Sequence, residues 1–362
     1  MAQSDRVIGK IIMQAFAFNP VTATDPADSL IGAIVTHAVR VPGGAKLRKG
    51  QVIAGADLDT LARLDSPVHL VRLDRGDIHE DEAGRRLAGL IAGPGLTVRA
   101  PVQSRVNVIA AHKGLLRVDA EAVQAINRRP PVGIFTVLDR LPVVPGKIVA
   151  GAKIATVAMP EQILDNIKAL INDRDQPVLE VKPYVPHRVG VVVTEGLAEN
   201  VRTRFEASVR AKMAWYGSGL LRFDYVVNDP EAVSIAIDRL LRDGANLLLT
   251  AGGNMMDPLD ASIVAMPRVG ASIVRLGAPA HPGSMFWLGE IAEASIPIVN
   301  LASCSMYSKA TVADLVLPWV MAGETVTADD LASLGYGGLL DRDMGWRFPN
   351  YDLDTVDEPD ET

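Results

Sequence analysis

The stretch TAGGNMMDPLDA, Thr250 to Ala261, gathers more chemistry than any other segment of the chain. An apolar run from Leu247 ends at Thr250, Gly252 and Gly253 follow, and carboxylates come at Asp257 and Asp260. Paired glycines let backbone N–H groups approach an anion closely, and a helix opening after them adds partial positive charge. A phosphate is the natural guest. The common phosphate motifs are absent: there is no G-x-x-x-x-G-K-[ST], and no G-x-G-x-x-G follows a strand-like run. Asp257 precedes Pro258, a pattern that predicts an N-cap, and Asp260 falls near the third helical position. Two acids beside a phosphate-shaped turn would repel the phosphate. A Mg²⁺ ion held by Asp257 and Asp260 removes the conflict, because it takes carboxylate and phosphate oxygens together.

Other reactive groups carry less. His79-Glu80-Asp81-Glu82 has the wrong spacing for a zinc pair and reads as a solvated helix start. Arg202, Arg204, Arg210 and Lys212 read as a solvated helix face, with phosphate contact as the alternative. Cys304 is the one cysteine, a small buried residue or a soft metal ligand. No Ser-His-Asp relay is supported.

The elements that must hold the glycine turn are clearest in the second half. Arg188 to Gly196, Leu220 to Val227, Leu247 to Thr250, Ala271 to Gly277 and Ile296 to Leu301 read as strands. Helices are predicted after the first strand through Trp215, from Asp229 to Gly244, from about Pro258, and from about Tyr307 to Ala322. Asp229-Pro230 marks a capped start. This alternation predicts an α/β three-layer domain over 186–325 with a mostly parallel sheet and ligands at the strands' carboxyl ends.

The region 1–180 reads as irregular and β-rich, in lobes near 25–75 and 95–160. Strand-like pieces lie at Gly32 to Val41, Gly50 to Ala56 and His69 to Leu73, with helices at Ala56 to Leu64, His79 to Gly93 and Glu161 to Ile171. The proline-bearing segment Asp173 to His187 is the domain boundary, and 350–362 reads as a disordered acidic tail. The chain has 362 residues, 48% of them apolar, which suits more than one packed domain. A net charge of −7 argues against nucleic-acid binding. No apolar run approaches the roughly 18 residues of a membrane span. A single cysteine, and a start without a small-residue cleavage site, point to the cytoplasm.

TAGGNMMDPLD resembles the T-x-G-G…D-x-x-D signature of the molybdopterin-binding superfamily, which includes molybdopterin molybdenumtransferases and competence/damage-inducible proteins. The likeness spans about Val185 to Gly323. The preceding DSLIGAIVTHAV…KLRKGQVI…HLVRL is similar to bacterial molybdopterin-binding proteins of molybdenum-hydroxylase maturation. The resemblance implies a ligand of molybdopterin or molybdopterin-AMP with Mg²⁺. It carries ligand roles onto Thr194, Glu195 and Gly196, onto Thr250, Gly252, Gly253 and Asn254, and onto the His281-Pro282-Gly283 turn. Asp257 and Asp260 take the metal and catalytic role. The family's Leu-Pro-Gly-Asn-Pro turn is here Leu301-Ala302-Ser303-Cys304-Ser305, where Ser303 and Ser305 could donate at a helix mouth and Lys309 follows one turn later. The lysines that flank the Pro-Gly turn in the insertion enzymes are replaced by His281 and Ser284. The resemblance therefore implies cofactor biosynthesis or delivery by a homodimer, as a transferase, as a carrier serving an apo-molybdoenzyme or a maturation protein, or as a nucleotide pyrophosphate hydrolase.

Overall fold

The computed structural model describes residues 14–22, 26–41, 44, 46–102, 104–253, 257–302 and 311–351. The chain divides into two compact units. One comprises Met1–Ala111, Arg117–Asp139 and Lys147–Glu180; the other comprises His112–Leu116, Arg140–Gly146 and Val181–Thr362. The second unit thus takes two short pieces from the first half of the sequence.

In the first unit the ladders are antiparallel. A four-stranded sheet has the order Val132–Thr136, Ile148–Ile154, Arg105–Ala110, Leu96–Val98, and a three-stranded sheet has the order Gln14–Phe18, Val68–Arg72, Ile34–Val35. The helix Glu80–Ile91 packs on the first of these through Ala83, Leu87 and Ile91. Its N-cap is His79, whose ring nitrogen accepts from the Asp81 N–H. Glu80 is not solvated as predicted: it is buried and paired with Lys49 at 3.0 Å. Helix Ala120–Asn127, opened by the Asp119 side chain, was not predicted.

The second unit is built on one mixed sheet. Its strands are β1 (Arg188–Val193), β2 (Gly219–Tyr225), β3 (Leu247–Ala251), β4 (Ala271–Leu276), β5 (Trp287–Ile291) and β6 (Ile296–Leu301), in the order β2-β1-β3-β6-β5-β4. The three pairings among β2, β1, β3 and β6 are parallel. The β6–β5 and β5–β4 pairings are antiparallel. A mostly parallel fold therefore does not describe the chain; parallel ladders join these four strands, and isolated parallel bridges pair Ala92 with Leu179 and His281 with Leu339. No helix separates β4 from β5, so that connection cannot make the crossover that a parallel pair needs. β5 was not predicted, although Trp287, Leu288 and Ile291 are buried in it.

Side-chain alternation gives the sheet two apolar faces. Val189, Val191, Val193, Leu247, Leu249 and Val299 pack with helices α1 (Glu199–Trp215) and α4 (Val312–Met321). Val192, Leu248 and Ile298 face the opposite way, against α2 (Pro230–Arg242) and α3 (Ala261–Val264). Gly190 lies on this second face, where a Cβ would come within 2.8 Å of Leu240. The glycine lets α2 sit close.

One helix start meets expectation and another departs from it. Helix α2 begins at Pro230 with the Asp229 carboxylate accepting from Glu231 and Ala232, as the sequence predicts. Helix α4 begins at Val312, after an extended Thr311 that caps with Asp314; the predicted start near Tyr307 lies outside the described residues. The predicted tail also starts too early: Tyr351 is half-buried, its hydroxyl donating to Asp314 at 2.8 Å. Among the described residues, no helix is long and apolar enough to cross a membrane.

Candidate functional site

The parallel strands β1, β2, β3 and β6 end at one edge of the sheet, which brings the segments after Val193, Tyr225, Ala251 and Leu301 together. The first and third of these segments touch. The Thr194 N–H donates to the Ala251 carbonyl at 3.0 Å. Gly252 and Gly253 both have left-handed backbone, with φ +94° and +83°. A Cβ at Gly252 would lie 2.8 Å from the Glu195 Cβ and 3.0 Å from the Thr194 hydroxyl. A Cβ at Gly253 would lie 2.7 and 2.9 Å from the two Asp260 carboxylate oxygens. Both glycines are therefore required twice, by backbone conformation and by contact.

The acids have distinct surroundings. Asp260 is 4% exposed, and its Oδ1 accepts from the Ser262 N–H at 3.0 Å. It is the N-cap of α3, a helix of only four residues. The sequence assigned that cap to Asp257. Asp257 instead lies in the preceding turn, exposed, with Oδ1 accepting from Leu259 N–H at 2.9 Å and its carbonyl accepting from Asp260 N–H. A Pro at position 258 suits either turn, so the dipeptide alone does not fix the helix start.

Thr250 sits inside the sheet, 1% exposed, its hydroxyl accepting from the Asn300 amide at 3.3 Å. Sequence reading did not single out Asn300. Its signal is an amide inside the apolar run IPIVNL, and the β3–β6 register sets it opposite Thr250.

A recess of about 410 Å³ opens at the ends of β1 and β2, lined by Thr194, Glu195, Gly196, Arg202, Tyr225 and Val227. The Arg202 guanidinium lies 3.8 Å from the Tyr225 ring centroid, and its Nε donates to Glu206 at 3.0 Å. The Tyr225 hydroxyl donates to the same carboxylate oxygen at 3.1 Å. Burial and this bond push the Tyr225 pKa up to about 12. Burial pushes Glu206 up, but hydrogen bonds from Arg202 and Tyr225 outweigh it and leave the carboxyl below its ordinary value. Arg202 is thus a fixed cation on the wall of the recess. The sequence signal was its i, i+4 spacing to Glu206.

Lys212, predicted with Arg202 on a solvated face, is buried and ion-paired with Asp314, which is 1% exposed. Its partner comes from α4, more than a hundred positions away, beyond the reach of helix periodicity. Arg210 pairs with Glu206 at 3.7 Å, and Arg204 is exposed.

The His281-Pro282-Gly283 turn lies against the first turn of α4. The Pro282 carbonyl accepts from Val312 N–H at 3.1 Å, and a Cβ at Gly283, with φ +111°, would come within 2.8 Å of that nitrogen. His281 is exposed and held by backbone bonds to Gly338 and Leu340. The Thr311, Val312 and Asp314 N–H groups at the mouth of α4 thus already have acceptors, in Asp314, Pro282 and Thr311 respectively. Asn254, Ser303, Cys304, Ser305 and Lys309 lie outside the described residues.

Among the described residues, no group of three or more His, Cys, Asp or Glu side chains could hold a metal alone. The arrangement sets a glycine turn, the Arg202 guanidinium and the exposed Asp257 carboxylate at the carboxyl edge of the sheet. No protein-family model matches the chain, and no curated protein matches it.

Proposed function

We propose that the carboxyl edge of the mixed sheet binds molybdopterin, or its nucleotide form molybdopterin-AMP, in the biosynthesis or delivery of molybdenum cofactor. The observation that carries this reading is the Gly252-Gly253 turn, bare of side chains, pressed between Thr194-Glu195 and Asp260. Such a turn suits close approach of a phosphate to main-chain donors. Arg202 and Tyr225 flank the adjoining recess, supplying a cation and a ring edge to the same ligand.

The acids fit Mg²⁺ only in company with ligand oxygens. This is the usual coordination, one or two carboxylates plus phosphate and water. Asp257 is the better metal ligand because it is exposed and, among the described residues, only one of its carboxylate oxygens accepts a hydrogen bond. Asp260 is a positioning residue, since its carboxylate caps α3 and supports Gly253. Mg²⁺ would supply Lewis acidity at a phosphate. The chain's own residues bind, orient and hold charge. Binding and hand-over are therefore better supported than turnover, and a transferase reading rests on Asp257 alone.

The test is calorimetric titration of the full chain with molybdopterin-AMP, with and without Mg²⁺, alongside mass spectrometry of whatever co-purifies. Wild type binds more tightly with Mg²⁺, and Asp257→Asn loses that enhancement while keeping the metal-free affinity. Removing the Arg202 cation as Arg202→Gln weakens binding about tenfold, the worth of one charge-assisted contact. Absence of pterin binding, or full affinity in Arg202→Gln with Mg²⁺ enhancement intact in Asp257→Asn, overturns the proposal.

A further inference from the structure

We infer that the first unit carries a second, separate anion site: a recess that binds a short oligophosphate chain, free or as part of a nucleotide. The cavity has a volume of about 620 Å³, within the range of small-molecule sites. Lys46, Arg48, Lys49 and Lys153 line it against two acids, Glu80 and Asp81. Glu80 is buried and its charge is answered by Lys49 at 3.0 Å. Lys46, Arg48 and Lys153 make no ion pair among the described residues.

The strand pairings increase this excess. Arg40 stands directly opposite Lys46, and Arg105 directly opposite Lys153. Like charges at directly opposed antiparallel positions repel. One member of each pair, Lys46 and Lys153, lines the cavity, in a chain whose net charge is −7. A polyanion bound in the cavity would offset both repulsions. The wall is also built rather than loose. Gly50 has φ +76°, and a Cβ there would overlap the Glu80 carboxylate. The His79 Nε2 lies 2.8 Å from the Gly50 carbonyl, and Gln51 bridges Arg48 N–H and Asp57. These bonds fix the turn that presents Arg48 and Lys49. The concave shape and acidic remainder of the molecule favour a small ligand over a nucleic-acid strand, whose phosphates need an extended cationic track.

The experiment titrates the full chain, free of Mg²⁺, with sodium tripolyphosphate, ATP and a short single-stranded oligonucleotide, and follows circular-dichroism melts in parallel. Tripolyphosphate binds, the more weakly as salt rises. Arg48→Gln/Lys153→Gln loses about tenfold or more in affinity. Its melting temperature without ligand equals or exceeds that of wild type, because repulsion has been removed; a merely structural role would lower it. Arg202→Gln, which weakens the proposed pterin site in the other unit, binds tripolyphosphate normally, which separates the two sites. Equal affinity for ATP and tripolyphosphate assigns the site to the phosphate chain, and tighter ATP binding assigns it to a nucleotide. No binding, binding undiminished in the double variant, or tighter binding of the oligonucleotide overturns the inference.

Discussion

Replacing Gly253 by alanine tests the local geometry on which the proposed ligand turn depends. Two costs add. An L-residue held at φ +83° is strained by about 1–2 kcal/mol. The new Cβ would also lie 2.7 and 2.9 Å from the Asp260 oxygens, closer than real contacts permit. The carboxylate has little room to move, because it is 4% exposed and caps α3 through Ser262. Displacing it forfeits an N-cap worth about 1 kcal/mol. Gly253→Ala should therefore destabilise the second unit by roughly 2–3 kcal/mol.

The controls separate the two terms. Gly270 has φ +68° but nothing within 4 Å of an added Cβ, so Gly270→Ala carries the backbone strain alone. In an Asp260→Ala background the contact term disappears, and Gly253→Ala should then cost only about 1–2 kcal/mol. Urea denaturation followed by tryptophan fluorescence isolates the relevant unit, since Trp215, Trp287, Trp319 and Trp346, all four tryptophans, belong to it. If Gly253→Ala is no more destabilising than Gly270→Ala, or if it shows no coupling to Asp260, then the turn is not pressed against that acid and the reasoning fails.

Two further outcomes follow from buried groups in the same unit. Asp314→Ala strands the buried Lys212 charge and removes the acceptor of Tyr351, so it should cost about 3–5 kcal/mol, while Lys212→Met/Asp314→Leu should recover most of that loss in the same denaturation assay. Among the described residues, neither buried ring nitrogen of His187 has a well-formed hydrogen bond; burial lowers its pKa from 6.5, and Asn246 offsets part of that. With a lowered folded-state pKa, the neutral ring's contribution is fully present above 6.5 and is lost as pH falls through the folded value. Equilibrium stability measured between neutral and mildly acidic pH should therefore drop in wild type and drop less in His187→Gln; identical slopes would refute it.

What the sequence disclosed is what local physics encodes. Asp229-Pro230 followed by apolar residues at Val233, Ile237 and Leu240 states a capped amphipathic helix within one short segment, and α2 forms there with those residues buried. The glycine pair after an apolar run is equally local, and it does sit at the carboxyl edge in left-handed backbone. The misreadings share a different origin. β5 carries buried Trp287 and Leu288, but a five-residue run with Gly289 at its centre has too little periodicity to stand out from a loop. Lys212 looks solvated on a charged helix until α4 brings Asp314 to it.

Asp257 and Asp260 show the same boundary at the candidate site. Either could cap a helix beginning near Pro258, and the choice is made by which carboxylate fits under Gly253, a contact no spacing rule contains. The basic recess of the first unit is the extreme case. Its cations arrive from strands and turns between Lys46 and Lys153, each unremarkable among polar neighbours, and only the fold gathers them at one cavity, with Arg40 set opposite Lys46 and Arg105 opposite Lys153. Charge that matters for binding is a property of register, and register is written across the whole chain rather than in any window of it.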